Sequence, residues 1–143
     1  MSTNTTTTSG VQNIAALIGR LLIASLFLPA GYGKLTGFAG AVGYITSAGM
    51  PLPEIGAVVA ILVEVGGSLA LIAGFQTRWV ALIMGLFTLV ASFFFHNFWA
   101  ADQAHYMSQY LNFFKNLAIT GGLLNIFAFG AGAFSLDARR NAA

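Results

Sequence analysis

The sequence predicts an all-α integral membrane protein, a four-helix bundle with both termini on the inner face. Three observations predict it. First, 57% of the 143 residues are hydrophobic and only 7% are charged, with a mean hydropathy of +0.81, whereas an ordinary soluble domain carries roughly 25% charged residues. A globule so poor in charge cannot cover its own surface with polar groups, and lipid is the solvent that makes such a surface tolerable. Second, the apolar residues gather into four stretches of about 20, the length that crosses the hydrocarbon. Third, the few cations are distributed asymmetrically between the two ends of those stretches.

Met1 to Gly10 is rich in Thr and Ser and uncharged, a composition that cannot bury enough apolar surface to fold, so a disordered tail is expected over residues 1–10. One domain then covers 11–134. Its first span runs from about Val11 to Lys34, interrupted by Arg20. The stretch before Arg20 carries no Lys or Arg, and Leu28-Pro29-Ala30 is a poor cleavage site, so this segment reads as a retained helix rather than a signal peptide. Pro29 and the Gly31/Gly33 pair predict a bend. Gly37 to Pro53 is a loop with room for a short amphipathic helix around 39–48. The second span covers about Glu54 to Phe75, with Glu64 near its middle. After the turn Gln76-Thr77-Arg78, the third runs from about Trp79 to Phe98, and the fourth from about Gln109 to Phe129. A Gly-rich stop leads to a polar tail over 135–143.

With the N-terminus inside, Arg78, Arg139 and Arg140, together with Arg20, lie toward the inner side. The outer loops then hold no Lys or Arg beyond Lys34 at a helix end. That is the bias of the positive-inside rule. The formal charge of +2 arises from very few residues and does not suggest a nucleic-acid partner. The absence of cysteine excludes disulfides, thiolate metal sites and thiol redox chemistry within the chain.

Charge inside hydrocarbon costs about 2.5–3.5 kcal/mol on insertion scales, so each such residue requires a partner or a purpose. Counting along the spans at about 1.5 Å per residue puts Arg20 roughly one turn deeper than Glu64, and an Arg20–Glu64 pair is expected. It reads either as a salt bridge fixing two helices or as a ligand or proton site. Nearer the outer face, Lys34, His96, Lys115 and Asn116 fall at similar depth, with His105 in the adjoining loop. Tyr32, Phe94, Phe95, Trp99, Phe113 and Phe114 lie around them. Cations and imidazoles converging among aromatic rings suit an anion or a quinone head group. Snorkelling lysines and an interfacial aromatic belt are the bland alternative. His96 and His105 lie nine residues apart across a helix–loop boundary and do not make a credible metal site. The pairs Gly66-Gly67 and Gly121-Gly122 read as close helix packing.

Five segments carry a resemblance: Phe27-x-x-Ala30-Gly31-x-x-Lys34-Leu35; Glu64-x-Gly66-Gly67; Gly74-x-x-Thr77-Arg78; Lys115-Asn116 followed by Gly121-Gly122-Leu123-Leu124; and Gly130-x-Gly132-x-x-Ser135-Leu136-Asp137. In this order they resemble the DoxX family of small four-helix bacterial membrane proteins, over nearly the whole chain from Arg20 to Asp137. The family's usual Pro in the last motif is Ala131 here. The resemblance implies a multi-pass protein of the bacterial inner (plasma) membrane. It is similar to the membrane subunit of an archaeal thiosulfate:quinone oxidoreductase, and related proteins are described as partners of membrane-associated oxidoreductase complexes. Two readings follow. In the first, the chain is a quinone-linked subunit or partner of an oxidoreductase complex, with Arg20, Lys34, Glu64, His96, Phe113, Lys115 and Asn116 as candidate ligand-binding residues. It has no intrinsic cofactor or metal, and whether it is an enzyme stays open. In the second, it is a non-enzymatic membrane scaffold, anchor or small-molecule carrier. The lipid bilayer is a partner in both, and a homo-oligomer is compatible with either.

Overall fold

The computed structural model describes residues 9–142. Six helices account for most of this length, rather than four: α1 (Gly10–Thr36), α2 (Phe38–Ser47), α3 (Pro53–Ala73), α4 (Thr77–Phe95), α5 (Tyr106–Phe129) and α6 (Leu136–Ala142). The four long ones are α1, α3, α4 and α5. The two short ones fold segments read as loop and tail. Helices Gly10–Thr36 and Pro53–Ala73 and the segment Thr77–Ala100 are each long and apolar enough to cross a membrane; α5 has the length, at 24 residues, but a more polar composition.

Each end has a local cause. The expected disorder of the N-terminal tail falls on residues outside those described, except at Ser9 and Gly10. Ser9 Oγ accepts from Gln12 N at 3.3 Å, and Gln12 Oε1 accepts from Ser9 N at 2.8 Å. This capping box satisfies two orphan donors and starts α1 at Gly10. The helix continues through Pro29 to Thr36 and buries the stripe Arg20, Ala24, Phe27 and Gly31. Pro53 occupies the start of α3, where its missing N–H costs nothing. Between Leu62 and Gly66 the helix widens into a single π turn that contains Glu64. Such turns recur at functional sites. At its end Gly74 adopts φ +67°, with Phe75 N donating to Ala70 O at 2.9 Å and Gly74 N to Leu71 O at 3.2 Å. This left-handed close ends the helix while satisfying its last carbonyls.

Consecutive long helices pack side by side, α1 on α3, α3 on α4 and α4 on α5. The core lies where they converge: Phe27, Leu71, Ala81, Met84 and Leu123, with Ile23, Val63 and Ile119 packed on it. Of the glycine pairs expected to promote close packing, Gly67 does so, since a Cβ there would meet Met84 Sδ at 2.7 Å. Gly66 and Gly121 face open space. The perimeter is apolar, with Leu22, Leu62, Leu69, Ile83 and Leu86 exposed, as a lipid-facing surface requires.

Candidate functional site

Among the described residues, the charged side chains that are fully or almost fully buried are Arg20 and Glu64, and they belong to separate clusters. Arg20 has no exposed surface. It does not pair with Glu64. Its Nη1 donates to Leu71 O at 2.7 Å and its Nη2 to Phe134 O at 2.6 Å. The guanidinium thus reaches carbonyls at the end of α3 and in the segment before α6. Gly74 makes room for it, because a Cβ there would come within 2.6 Å of Nη1. Asp137 completes this end. Its carboxylate accepts from Gln76 N and Thr77 N, both at 2.8 Å, and its own N–H donates to Gly74 O at 2.9 Å. A residue 60 positions downstream therefore caps the N-terminus of α4. Partial burial pushes the Asp137 carboxyl up, but the bonds from Thr77 and Gln76 and the nearby Arg140 outweigh it, holding the group below the usual carboxylate range. The expected Arg20–Glu64 bridge fails because depth along the helix axes does not specify direction. Arg20 extends toward the helix ends, where orphan carbonyls accept its protons.

Glu64 pairs with Lys34 instead. Lys34 Nζ lies 2.8 Å from Glu64 Oε2 and 3.0 Å from Oε1, with side-chain exposures of 31% and 8%. Gly31 makes this possible. A Cβ on Gly31 would sit 2.8 Å from both Glu64 Cβ and Val65 Cγ2, so only glycine lets α1 approach the π turn so closely. Lys34, three residues on, then lies over the carboxylate on the same helix face.

The pair lines a cavity of about 580 Å³ formed by α1, α2, α3 and α4. His96 and Asn116 line it too, as does Thr88. The rest of the lining is apolar, including Phe27, Ile45, Val63, Phe87 and Phe95. The short helix α2 closes one end, where Tyr44 stacks on Phe95 with ring centroids 5.1 Å apart. Exposed Val59, Ile83, Leu86 and Val90 belong to the same lining, so the cavity reaches the lipid-facing surface between α3 and α4. Glu64 is thus a buried hydrogen-bond acceptor, Lys34 a hydrogen-bond donor, and His96 an imidazole with one nitrogen for each role. His96 Nδ1 lies 3.0 Å from Gln109 Oε1. With Nδ1 donating to this amide oxygen, Nε2 is left as an acceptor.

The remaining sequence candidates lie elsewhere. Arg20 is at the opposite end. Lys115 is exposed and does not line the cavity. Phe113 is buried in a ring cluster with Phe93, Phe98 and Trp99, at centroid distances of 5.3, 5.4 and 5.7 Å. Phe94 and Phe114 are exposed. His105 bonds Asp102 in the α4–α5 loop at 2.8 Å. Its backbone N–H and then its ring hold the Asp102 carboxyl below the usual range. Thr88, Tyr44 and Gln109 escaped the sequence reading. Thr88 had a signal, since it continues the buried stripe Thr77, Ala81, Met84, Thr88.

The DoxX family model matches residues 15–97, which contain Arg20, Lys34, Glu64 and His96. The chain is 40% identical over 130 residues to inner membrane protein YqjF of Escherichia coli, covering 89% of this chain and 92% of that protein. It is 33% identical over 126 residues to inner membrane protein YphA of the same organism, covering 88% and 90%. A shorter likeness, 34% over 71 residues, spans 48% of this chain and 24% of the Surfeit locus protein 4 homolog of Schizosaccharomyces pombe. No solved structure matches. The chain is a multi-pass protein of the inner membrane, and it belongs to the DoxX family.

Proposed function

We propose that the chain binds a quinone-type molecule in the cavity beside Lys34 and Glu64, as a membrane subunit or partner of an oxidoreductase complex. One observation carries the reading: a single cavity of about 580 Å³ combines an apolar, partly aromatic wall with an ion pair, an imidazole and an amide. Such a combination suits a flat lipophilic ring with carbonyl oxygens, which needs few but well-placed polar groups. The mouth between α3 and α4 admits a ligand dissolved in the bilayer. Lys34 donates to one carbonyl oxygen, and His96 Nε2 accepts from the hydroxyl of the reduced form. Reduction of the quinone to the quinol takes two electrons, which the partner supplies, and two protons, which water supplies, while Lys34 and His96 hold the two ring oxygens.

All four long helices span the membrane in this reading, with both termini inside. Supporting it are the up-and-down packing of the helices and the placement of Arg78, Arg139 and Arg140 at the end opposite Lys34. The cavity end then faces the outer leaflet.

The test is binding of a fluorescent or spin-labelled ubiquinone analogue to protein purified in detergent. Lys34→Met and His96→Leu are expected to weaken binding about tenfold each, equivalent to about 1.4 kcal/mol, while Lys115→Met leaves it unchanged. Absence of binding by the wild type ends the quinone reading. Binding without any redox partner in the cell leaves the small-molecule carrier, a reading that the same lipid-facing mouth favours.

A further inference from the structure

The end of the bundle opposite the Lys34–Glu64 cavity holds a second cavity, of about 400 Å³, between the start of α4, the close of α5 and α6. Its lining includes the guanidinium-bearing side chains Arg78 and Arg140, the amide of Gln76, and the backbone of Gly130–Gly132. Trp79 and Phe129 form its apolar side, and they are 62% and 82% exposed. We propose that this cavity binds the phosphodiester headgroup of an anionic phospholipid.

Charge is the first argument. The ion pairs found among the described residues are Lys34–Glu64 and His105–Asp102, so neither arginine is in contact with a carboxylate. Asp137 also lines the cavity, but its two oxygens are taken by Gln76 N and Thr77 N. The carboxylate is engaged by the helix terminus; Arg140 rests over the Phe75 ring at 5.7 Å, a contact that leaves its N–H groups free to point to a ligand, and Arg78 is in no carboxylate ion pair. Guanidinium groups bind phosphate oxygens through planar sets of N–H donors, and two of them line this one cavity.

Shape is the second argument. Gly130 turns with φ +85°, and a Cβ there would lie 3.3 Å from Arg78 Nε. Glycine at this turn thus lets the exposed Arg78 side chain pass close over the backbone beside the cavity. Gln76, also at positive φ (+47°), is kept in that costly conformation by its bond to Asp137. Two turns are shaped around one small concave space.

The neighbours decide between a lipid and a free anion. Trp79 packs on Phe127 with centroids 6.3 Å apart, which continues an aromatic surface from the cavity along α4 and α5. Trp rings with exposed faces at helix ends lie at headgroup depth in a bilayer. A phosphodiester carrying acyl chains uses both halves of this surface, whereas inorganic phosphate uses only the arginines.

The full-length protein in detergent is tested by native mass spectrometry and thermal unfolding with dioleoylphosphatidylglycerol, dioleoylphosphatidylcholine or inorganic phosphate. The expected result is retention and thermal stabilisation by phosphatidylglycerol over phosphatidylcholine. The double variant R78Q/R140Q should weaken that binding at least about tenfold, and R139Q, whose arginine does not line the cavity, should not. Excess inorganic phosphate should leave the lipid bound. Equal binding of the two lipids, equal loss in R139Q, or displacement by inorganic phosphate would each overturn the assignment. Should R78Q/R140Q fail to fold, the single variant R140Q carries the comparison, since Arg140 is an exposed residue of the short α6.

Discussion

The two ends of the bundle bury ionisable groups in opposite ways. At the Arg20 end the charge is consumed by the fold itself. Both guanidinium nitrogens that bond do so to backbone carbonyls, and Asp137 bonds to backbone N–H groups. At the Lys34 end the charges meet each other across a cavity, with one partner about a third exposed. In the first arrangement the bonding atoms of Arg20 and Asp137 are occupied by backbone groups. In the second the paired charges border an apolar cavity that reaches the lipid-facing surface. A charged residue inside a membrane protein is thus diagnostic of function only after its partners are known, because carbonyls at a helix end can satisfy an arginine where a carboxylate is absent.

The largest expected effect breaks the Arg20 end. Arg20→Leu removes the donor to Phe134 O and the shorter of two donors to Leu71 O, which keeps only Gly74 N, and it releases the C-terminal segment. The cost is about 4 kcal/mol, by analogy with breaking a buried charged contact. Thermal unfolding in detergent should show it, and the variant should accumulate poorly. Combining it with Glu64→Gln sharpens the comparison. The two effects should add within about 0.5 kcal/mol, as for sites without shared partners. A coupling of more than about 1 kcal/mol would mean that the two ends are not independent.

The Lys34 end should respond less in stability and more in binding. Lys34→Met leaves Glu64 without its cation, but Lys34 is 31% exposed, so the pair is partly open to its surroundings. The loss should be about 1–2 kcal/mol, below the range for a fully buried pair. Glu64→Gln in the same background should recover part of it. If Lys34→Met destabilises as much as Arg20→Leu, the pair is a structural clamp and the cavity loses its chemical purpose.

How far these ends were legible in the sequence differs for the same physical reason. Hydropathy marks the long helices because each span must satisfy its own backbone inside lipid. The short α2 was legible as an amphipathic stretch within a loop. The Lys34–Glu64 contact left a readable trace, since Arg20, Ala24, Phe27, Gly31 and Lys34 follow one helical stripe, and a glycine on such a stripe marks close approach. The Arg20 knot left none in periodicity. It depends on a segment more than 110 residues downstream folding back onto the end of α3, and no local pattern announces where a Gly-rich stop will turn. The resemblance segments around Gly74 and Asp137 become intelligible only once they are seen to bond each other. Lys115 and Phe113 went astray because depth along a helix was legible but the direction around it was not. Both lie at a suitable level on α5, one exposed and the other turned into a ring cluster.

The smallest expected effect belongs to Asp137, and pH separates it from the others. The carboxylate caps α4 through two N–H groups, so Asp137→Ala should cost about 1 kcal/mol, as for loss of a helix cap. Because the folded carboxyl titrates below its usual value, its contribution is complete above the unfolded value of about 3.9. It is lost as pH falls through the lower folded value. The difference in unfolding temperature between wild type and Asp137→Ala should therefore be constant from neutral pH down to about 5, then shrink as the pH falls below 4. Protonation leaves one oxygen able to accept, so a residue of the difference should persist at the acid limit. A difference that grows on acidification would mean that the carboxyl is held by its neutral form. The capping arrangement of Asp137 on Gln76 and Thr77 would then not be the interaction that ties α6 to the bundle.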